Sequence, residues 1–490
     1  MLTMNILMIT SEVVPFSKSG GLADVAGALS SALANLGNKV SILMPAYGFI
    51  DLKEFSSPIA TFDVELNCQK EKVIIVKKTV NNVDYLALVH PLFTERKGIY
   101  GDTSFSPYSD NFERYMLLAK AVLPLCKKIK LKVDILHAHD WTAGFVPYLL
   151  KKSKDKYFSK CKSVFTIHNL AYQGVFPRLE ALKASIELED KIFEGTSINK
   201  KINMLRVGLI YSDYITTVSP TYAKEIQTEE LGCSLHEILR ERRSRLFGII
   251  NAIDYNEWNS EKDIYFDTHY NSEDLSGKRE LKRIVQKQFN LEVNDDIPLI
   301  SMISRFAEQK GFYELLDQHN TLETILKSEK VQFLIIGTGD EVIQNKLTEL
   351  ASRYENLSVN IMFSNKFAHM VEGASDFFLM PSRYEPCGLN QLYSLRYGTL
   401  PIARKTGGLA DTIIDIGEFP NEGTGFLFSQ LESHAIIESV KRALDIYYND
   451  KETLNKMIKR SMNQDFTWTK SALSYLKIYT KGLSWKNKKQ

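Results

Sequence analysis

Short apolar runs rich in β-branched residues alternate with stretches of helical periodicity along most of the chain, and that alternation admits few folds. Strands covered on both faces read as continuous apolar runs, so the pattern specifies parallel sheets sandwiched by helices. In the first half the predicted strands are 6–9, 40–44, 133–137, 164–167 and 215–218. In the second half they are 299–303, 333–336, 359–362, 377–380 and 400–403. The clearest helix is 22–36, where Leu22, Val25, Ala26, Leu29, Leu33 and Leu36 share a face and Gly37 supplies a stop. A chain of 490 residues accommodates two α/β lobes of this kind. The hinge is predicted at 248–254, ahead of a polar stretch, 251–276, and a basic helix, 278–288.

With 44% hydrophobic and 24% charged residues the composition is that of a globular chain, and a net charge of +2 gives no field that favours nucleic acid or a membrane surface. The basic runs at 241–245 and 486–489 read as solvated faces. Cys68, Cys126, Cys161, Cys233 and Cys387 include no C-x-x-C pair, which argues against a disulfide framework and a zinc site and for a reducing compartment. The apolar run 5–10 has no basic flank, and no run approaches the ~20 residues of a membrane span. The expected location is cytoplasmic.

The two halves share a motif. Residues 18–25 read KSGGLADV and residues 405–412 read KTGGLADT, identical at six of eight positions, each after a predicted strand and opening a predicted helix. Gly20 and Gly21 let backbone N–H groups face a ligand, which suits an anion, and Lys18 adds a mobile positive charge. Asp24 either accepts a hydroxyl or caps the helix. The loop is neither G-x-G-x-x-G nor G-x-x-x-x-G-K-[ST]. Gly339, in GTGD at 337–340, belongs to a second glycine-rich loop. Arg305 and Lys310, in SRFAEQKG at 304–311, follow a strand where ligands gather in open α/β sheets. They suit a pyrophosphate leaving group, or are two exposed basic residues on a turn. Glu385, in SRYEPCGL at 382–389, is a helix-start acid or a carboxylate facing a sugar. His137 and His139 alternate at a strand end with no third ligand spaced to join them, so no metal site is predicted. Asp140 and Trp141 read as a sugar-facing pair, and His168 and Asn169 again follow a predicted strand.

Taken together with HAHDW at 137–141, HNLAYQG at 168–174 and the extension of 382–392 to SRYEPCGLNQL, these motifs make nearly the whole chain resemble bacterial glycogen synthases and plant starch synthases. The resemblance implies an α/β GT-B fold, two Rossmann-like lobes with parallel sheets facing a central cleft. It places an acceptor lobe at 1–247, a nucleotide-sugar lobe at 248–469, and a C-terminal helix at 470–490 returning to the first lobe. The implied reaction is retaining transfer of glucose from ADP-glucose to the non-reducing 4-hydroxyl of an α-1,4-glucan such as glycogen. ADP-glucose is a substrate, and no metal or pyridoxal phosphate cofactor is implied. Carried over position by position, Lys18, Gly20 and Gly21 face the donor phosphate. Asp24, Tyr100, Asp140 and His168 resemble the sugar-binding and catalytic set, with Trp141 and Asn169 on the acceptor side. Arg305 and Lys310 neutralise the diphosphate, and Glu385 is the catalytic carboxylate. Gly339, Gly407, Gly408 and Asn251 approach the donor, while Tyr354 and Tyr384 serve its nucleotide and sugar ends.

Two departures stand out. N-A-I-D at 251–254 replaces the family's N-G-I-D, so the hinge loop loses a flexible glycine. Where the wider superfamily has a second glutamate eight residues after the first, this chain has Tyr393. That fits front-face displacement, in which the leaving diphosphate helps to deprotonate the incoming hydroxyl. A GT-B epimerase would not explain EPCGL together with HNLAYQG, and a mere glucan binder has no need of Lys18, Arg305, Lys310 and Glu385 together. ADP-glucose against UDP-glucose and the oligomeric state are not legible in the sequence.

Overall fold

A computed structural model describes residues 3–102, 106–186, 189–194, 200–316 and 320–484. Contacts divide the chain into one unit of residues 1–218, 223–249 and 468–490, and another of residues 219–222 and 250–467. The chain passes to the second unit at Ile250 rather than at 248, and the closing helix is Trp468–Ser484. The rest of the predicted 470–490 helix, with the basic run 486–489, lies outside the described residues.

The first unit is built on a nine-stranded sheet. Its spatial order is Leu246–Gly248, Tyr214–Thr217, Lys162–Ile167, Ile135–His139, Asn5–Ile9, Lys39–Pro45, Val83–Val89, Gln69–Val80 and Ala60–Leu66. Strands up to Val83–Val89 run parallel, with Ile6 paired to Val40 on one side and Ile135 on the other. Gln69–Val80 and Ala60–Leu66 add an antiparallel edge. Nothing in the strand predictions covers that edge, although Val73, Ile74, Ile75 and Val76 form a short apolar run between lysines and three of them are buried. The predicted 133–137 strand is Ile135–His139, which carries both histidines inside the sheet. The helix predicted at 22–36 is Gly21–Asn35, and Gly37 at φ +86° takes the left-handed position that ends it.

The second unit holds a six-stranded, wholly parallel sheet in the order Leu357–Ile361, Gln332–Gly337, Leu299–Ile303, Phe377–Met380, Leu400–Arg404, Phe426–Phe428. In each sheet the parallel strands are wound in both directions from the first strand of the unit, Asn5–Ile9 in one and Leu299–Ile303 in the other. In such doubly wound sheets ligands collect at the carboxyl ends of the strands on either side of that reversal. The reversal lies between Asn5–Ile9 and Ile135–His139 in the first unit, and between Leu299–Ile303 and Phe377–Met380 in the second.

Candidate active site

In the first unit the chain leaves Asn5–Ile9 through Glu12, which is 3% exposed. The Glu12 carboxylate accepts the backbone N–H groups of Ser19 at 2.5 Å and Gly20 at 3.0 Å, and the Tyr100 hydroxyl donates to its other oxygen at 2.5 Å. Burial pushes this carboxyl above its usual range, against those bonds. The Gly20 amide, expected to face an anion, is therefore held by the protein's own carboxylate. What the exposed glycine loop offers a ligand is the Lys18 ammonium and the amide of Gly21, the first residue of the Gly21–Asn35 helix. Lys18 pairs with Asp24 at 2.7 Å, so Asp24 orients a cation rather than capping the Gly21–Asn35 helix. Tyr100 is placed from behind by fully buried Arg114, whose guanidinium donates to the carbonyls of Leu92 and Ile99 at 2.9 Å each.

Just past the end of the neighbouring strand Asp140 stands at φ +53°, ψ −175°, a backbone state that costs a non-glycine residue about 1–3 kcal/mol. Its carboxylate accepts the His168 N–H at 2.7 Å and so fixes the start of the 168–174 loop, while burial pushes its pKa up to about 7. Trp141 supports the same loop. Its ring lies 4.9 Å from Tyr115 and beneath Gly174 (φ +60°), where an added Cβ would come within 2.3 Å of the indole. Asn169 accepts the Ala171 N–H at 3.0 Å, turning part of its capacity inward. His168 also joins His137 and His139, with centroids 4.1 Å apart from 137 to 139 and 5.3 Å from 139 to 168. A third imidazole thus does reach the pair, from the next strand, where sequence spacing could not reveal it. Burial holds His137 and His168 at about 3 and His139 well below its usual value, so all three are neutral near pH 7. Among the described residues no group of three or more His, Cys, Asp and Glu is arranged to hold a metal ion.

In the second unit the 304–311 loop and the 381–389 segment meet at the strand ends. The Lys310 ammonium donates to Glu385 at 2.6 Å, and the Ser382 hydroxyl donates to the same oxygen at 3.0 Å. The Glu385 side chain is 6% exposed and that of Lys310 19%. Arg305, exposed on the same loop, lines a cavity of about 200 Å³ with Ser304, Lys310, Ser382 and Asn390. The three predicted residues are thus together, with Lys310 engaged by Glu385 rather than standing free. Arg383 clamps the two segments through Glu308 at 3.0 Å and Glu314 at 2.6 Å, and the neighbouring Tyr384 carbonyl accepts the Gln309 amide at 3.2 Å.

The second glycine pair is not open to a ligand. A Cβ on Gly407 would lie 1.9 Å from the Glu385 carbonyl oxygen, and one on Gly408 2.0 Å from that of Cys387. The Gly408 N–H donates to the Glu385 carbonyl at 3.0 Å, so these glycines seat the carboxylate's backbone. Gly339 likewise admits the 304–311 loop, with an added Cβ 2.3 Å from the Phe306 carbonyl oxygen. Asn251 is 7% exposed, and its Oδ1 has no protein partner. Tyr354 requires correction. It follows the Glu341–Arg353 helix and precedes the Leu357–Ile361 strand, which puts it at the amino edge of the sheet, opposite Arg305 and Glu385, with its hydroxyl donated to Glu323 at 2.6 Å. The aromatic at the carboxyl edge is Phe363, 86% exposed.

Residues 5–241 match the starch synthase catalytic domain model and residues 284–464 that of glycosyl transferases group 1. The glycogen synthase of Treponema denticola is 41% identical over 97% of this chain and 98% of its own. That of Geotalea daltonii is 39% identical over 97% and 98%. The chain belongs to the glycogen synthase family. The catalytic domain of starch synthase IV from Arabidopsis thaliana, bound to ADP and acarbose, shares the fold at a TM-score of 0.87 and 30% identity, covering 99% of this chain and all of that one. The fold is therefore GT-B, and the chain is a glucosyltransferase. Within this glycogen synthase frame, sequence reasoning missed Glu12, Arg114 and Phe363. The rule that singled out His168, a polar or aromatic group just past a strand's carboxyl end, also picks Glu12 and Phe363. No comparable pattern marks Arg114, which looks like any helical cation.

Proposed function

We propose that this chain elongates an α-1,4-glucan by moving glucose from ADP-glucose to a non-reducing 4-hydroxyl with retention of configuration. The observation that carries the residue roles is the Lys310–Glu385 pair beside Arg305. An arriving diphosphate offers Lys310 a doubly charged partner, and the Arg305 fork adds a second cation, so the leaving group's charge is neutralised as it develops. Glu385, buried and hydrogen-bonded by Ser382, then opposes the positive charge that grows on the sugar. Lys18 supplies a further cation steered by Asp24, and Asp140 holds His168 at the reacting sugar. Phe363, in place of Tyr354, offers an open ring face to the base, while Tyr100, Trp141 and Asn169 belong to the glucan side. Tyr393, stacked on Trp258 at 3.5 Å, occupies the place of a second carboxylate, which favours front-face displacement with the diphosphate oxygen taking the proton of the incoming hydroxyl.

Neither a metal nor pyridoxal phosphate enters this reading, and five free cysteines agree with a reducing cytoplasm. No helix among the described residues is long and apolar enough to cross a membrane. The test is incorporation of labelled glucose into glycogen from ADP-glucose and UDP-glucose in parallel, with Glu385→Gln as control. Incorporation from ADP-glucose that falls by about 10²–10³ in the variant is expected. Preference for UDP-glucose would overturn the donor assignment, and undiminished turnover in Glu385→Gln would remove the carboxylate from the chemistry.

A further inference from the structure

His139, within HAHDW at 137–141, is fully buried and has no part in the transfer described above. Its Nδ1 lies 3.0 Å from Nε2 of His168, in a geometry that makes one the donor and the other the acceptor. Its own Nε2 is buried and has no protein hydrogen-bond partner. The two arrangements of the shared proton are therefore unequal. If His168 donated, His139 would carry its proton on Nε2, leaving a buried N–H without a partner. If His139 donates, what is left over is a bare acceptor nitrogen, which costs less to bury than an orphaned donor.

The surroundings keep the His139 ring from turning to escape this choice. The His137 ring lies against it at 4.1 Å with a 36° tilt. His137 is itself held at both nitrogens, by the Tyr479 hydroxyl at 2.8 Å and the Thr166 hydroxyl at 2.6 Å. Asp140 fixes the backbone N–H of His168, so the second ring is also anchored.

We infer that His139 is a positioning residue for glucosyl transfer: it donates Nδ1–H to His168 Nε2, locks His168 in the Nδ1–H tautomer, and so makes His168 present a hydrogen-bond donor to the sugar. A neutral imidazole has one proton to place, and a donor at Nδ1 discriminates a sugar oxygen that accepts from one that must donate. This rests on the reading of His168 as a sugar-facing residue, although the tautomer itself does not.

The first measurement is a long-range ¹H–¹⁵N spectrum of the unliganded full-length chain labelled at histidine nitrogens, with His168 assigned through its loss in His168→Gln. The expected pattern has a protonated Nδ1 and a bare Nε2 at His168. The second is the KM for ADP-glucose in His139→Asn, whose amide keeps an N–H donor near the Nδ1 position, and in His139→Phe, which keeps bulk without a donor. KM within about twofold of the parent for Asn and raised about five- to tenfold for Phe is expected from the loss of one oriented hydrogen bond. A space-filling role alone would affect the two variants alike or spare Phe. His168 protonated at Nε2, or equal KM values in the two variants, overturns the proposal. A parent chain that transfers no glucose from any donor would instead refute the transferase reading, and the spectrum would still decide the tautomer.

Discussion

At the scale of the residue, the Lys310–Glu385 pair sets stability against function. Removing one partner of a mostly buried pair leaves an uncompensated charge. Lys310→Ala should therefore destabilise the second unit by about 2–3 kcal/mol, and Lys310→Ala with Glu385→Gln should restore at least half of that in urea unfolding. An equal loss in single and double variants would mean that the pair is not coupled. The pH response follows from groups in the first unit. His137 and His168, at about 3 when folded against about 6.5 unfolded, are protonated first in the unfolded chain, so their stabilisation is lost as pH falls from about 6.5 toward 3. Asp140 runs the other way. At about 7 folded against about 4 unfolded, it loses stability as pH rises from about 4 to 7. Asp140→Asn keeps an acceptor for the His168 N–H and abolishes that second slope. The urea midpoint of the variant relative to the parent should climb across pH 4–7, and a difference that stays flat would show that Asp140 does not titrate there.

At the scale of the element, the two copies of one motif show what was legible and what was not. Both were placed correctly after a strand and before a helix, because apolar runs and glycine punctuation report local structure. Their burial was not, because it depends on which segment each loop meets. Glu12 underlies the first copy at a sequence distance that carries no helical or strand period, while the backbone of Glu385 and Cys387 fills the space around the second. The same reasoning explains Tyr354: composition names an aromatic near a strand, but only strand direction decides which end of the sheet it occupies. The contrast predicts opposite results for the same substitution. Gly20→Ala meets nothing within 4 Å and should change stability by less than about 1 kcal/mol, with turnover largely kept. Gly408→Ala forces the Cys387 carbonyl away and should lower kcat at least tenfold, measured as glucose incorporation at saturating donor, by displacing Glu385. Similar turnover in both variants would mean that the close packing around Glu385 is tolerant.

At the scale of the whole molecule, the first unit is completed by a segment that rejoins it after the chain has run through the second unit. Helix Trp468–Ser484 packs on Gly21–Asn35 and on strand Lys162–Ile167, with Tyr475 at 1% and Tyr479 at 0% exposure. Fully burying one large apolar side chain contributes about 1.5–3 kcal/mol, so two such rings amount to a good part of a domain's 5–15 kcal/mol. Periodicity could suggest a helix there, but its partner lies across more than 300 residues of chain, and loop-closure entropy grows only slowly with such a separation. Truncation after Thr467 should therefore act on one sheet selectively. Amide exchange in Ile135–His139 and Lys162–Ile167 should accelerate by about 10²-fold or more, the equivalent of about 2.7 kcal/mol, while Leu299–Ile303 and Phe377–Met380 keep their protection. Equal acceleration in both sheets would mean that the helix stabilises the whole chain rather than its own unit, and unchanged exchange in the first sheet would mean that the Tyr479–His137 contact carries little. Because that contact ends at the strand carrying His139, the same truncation should also degrade transfer before the first unit unfolds.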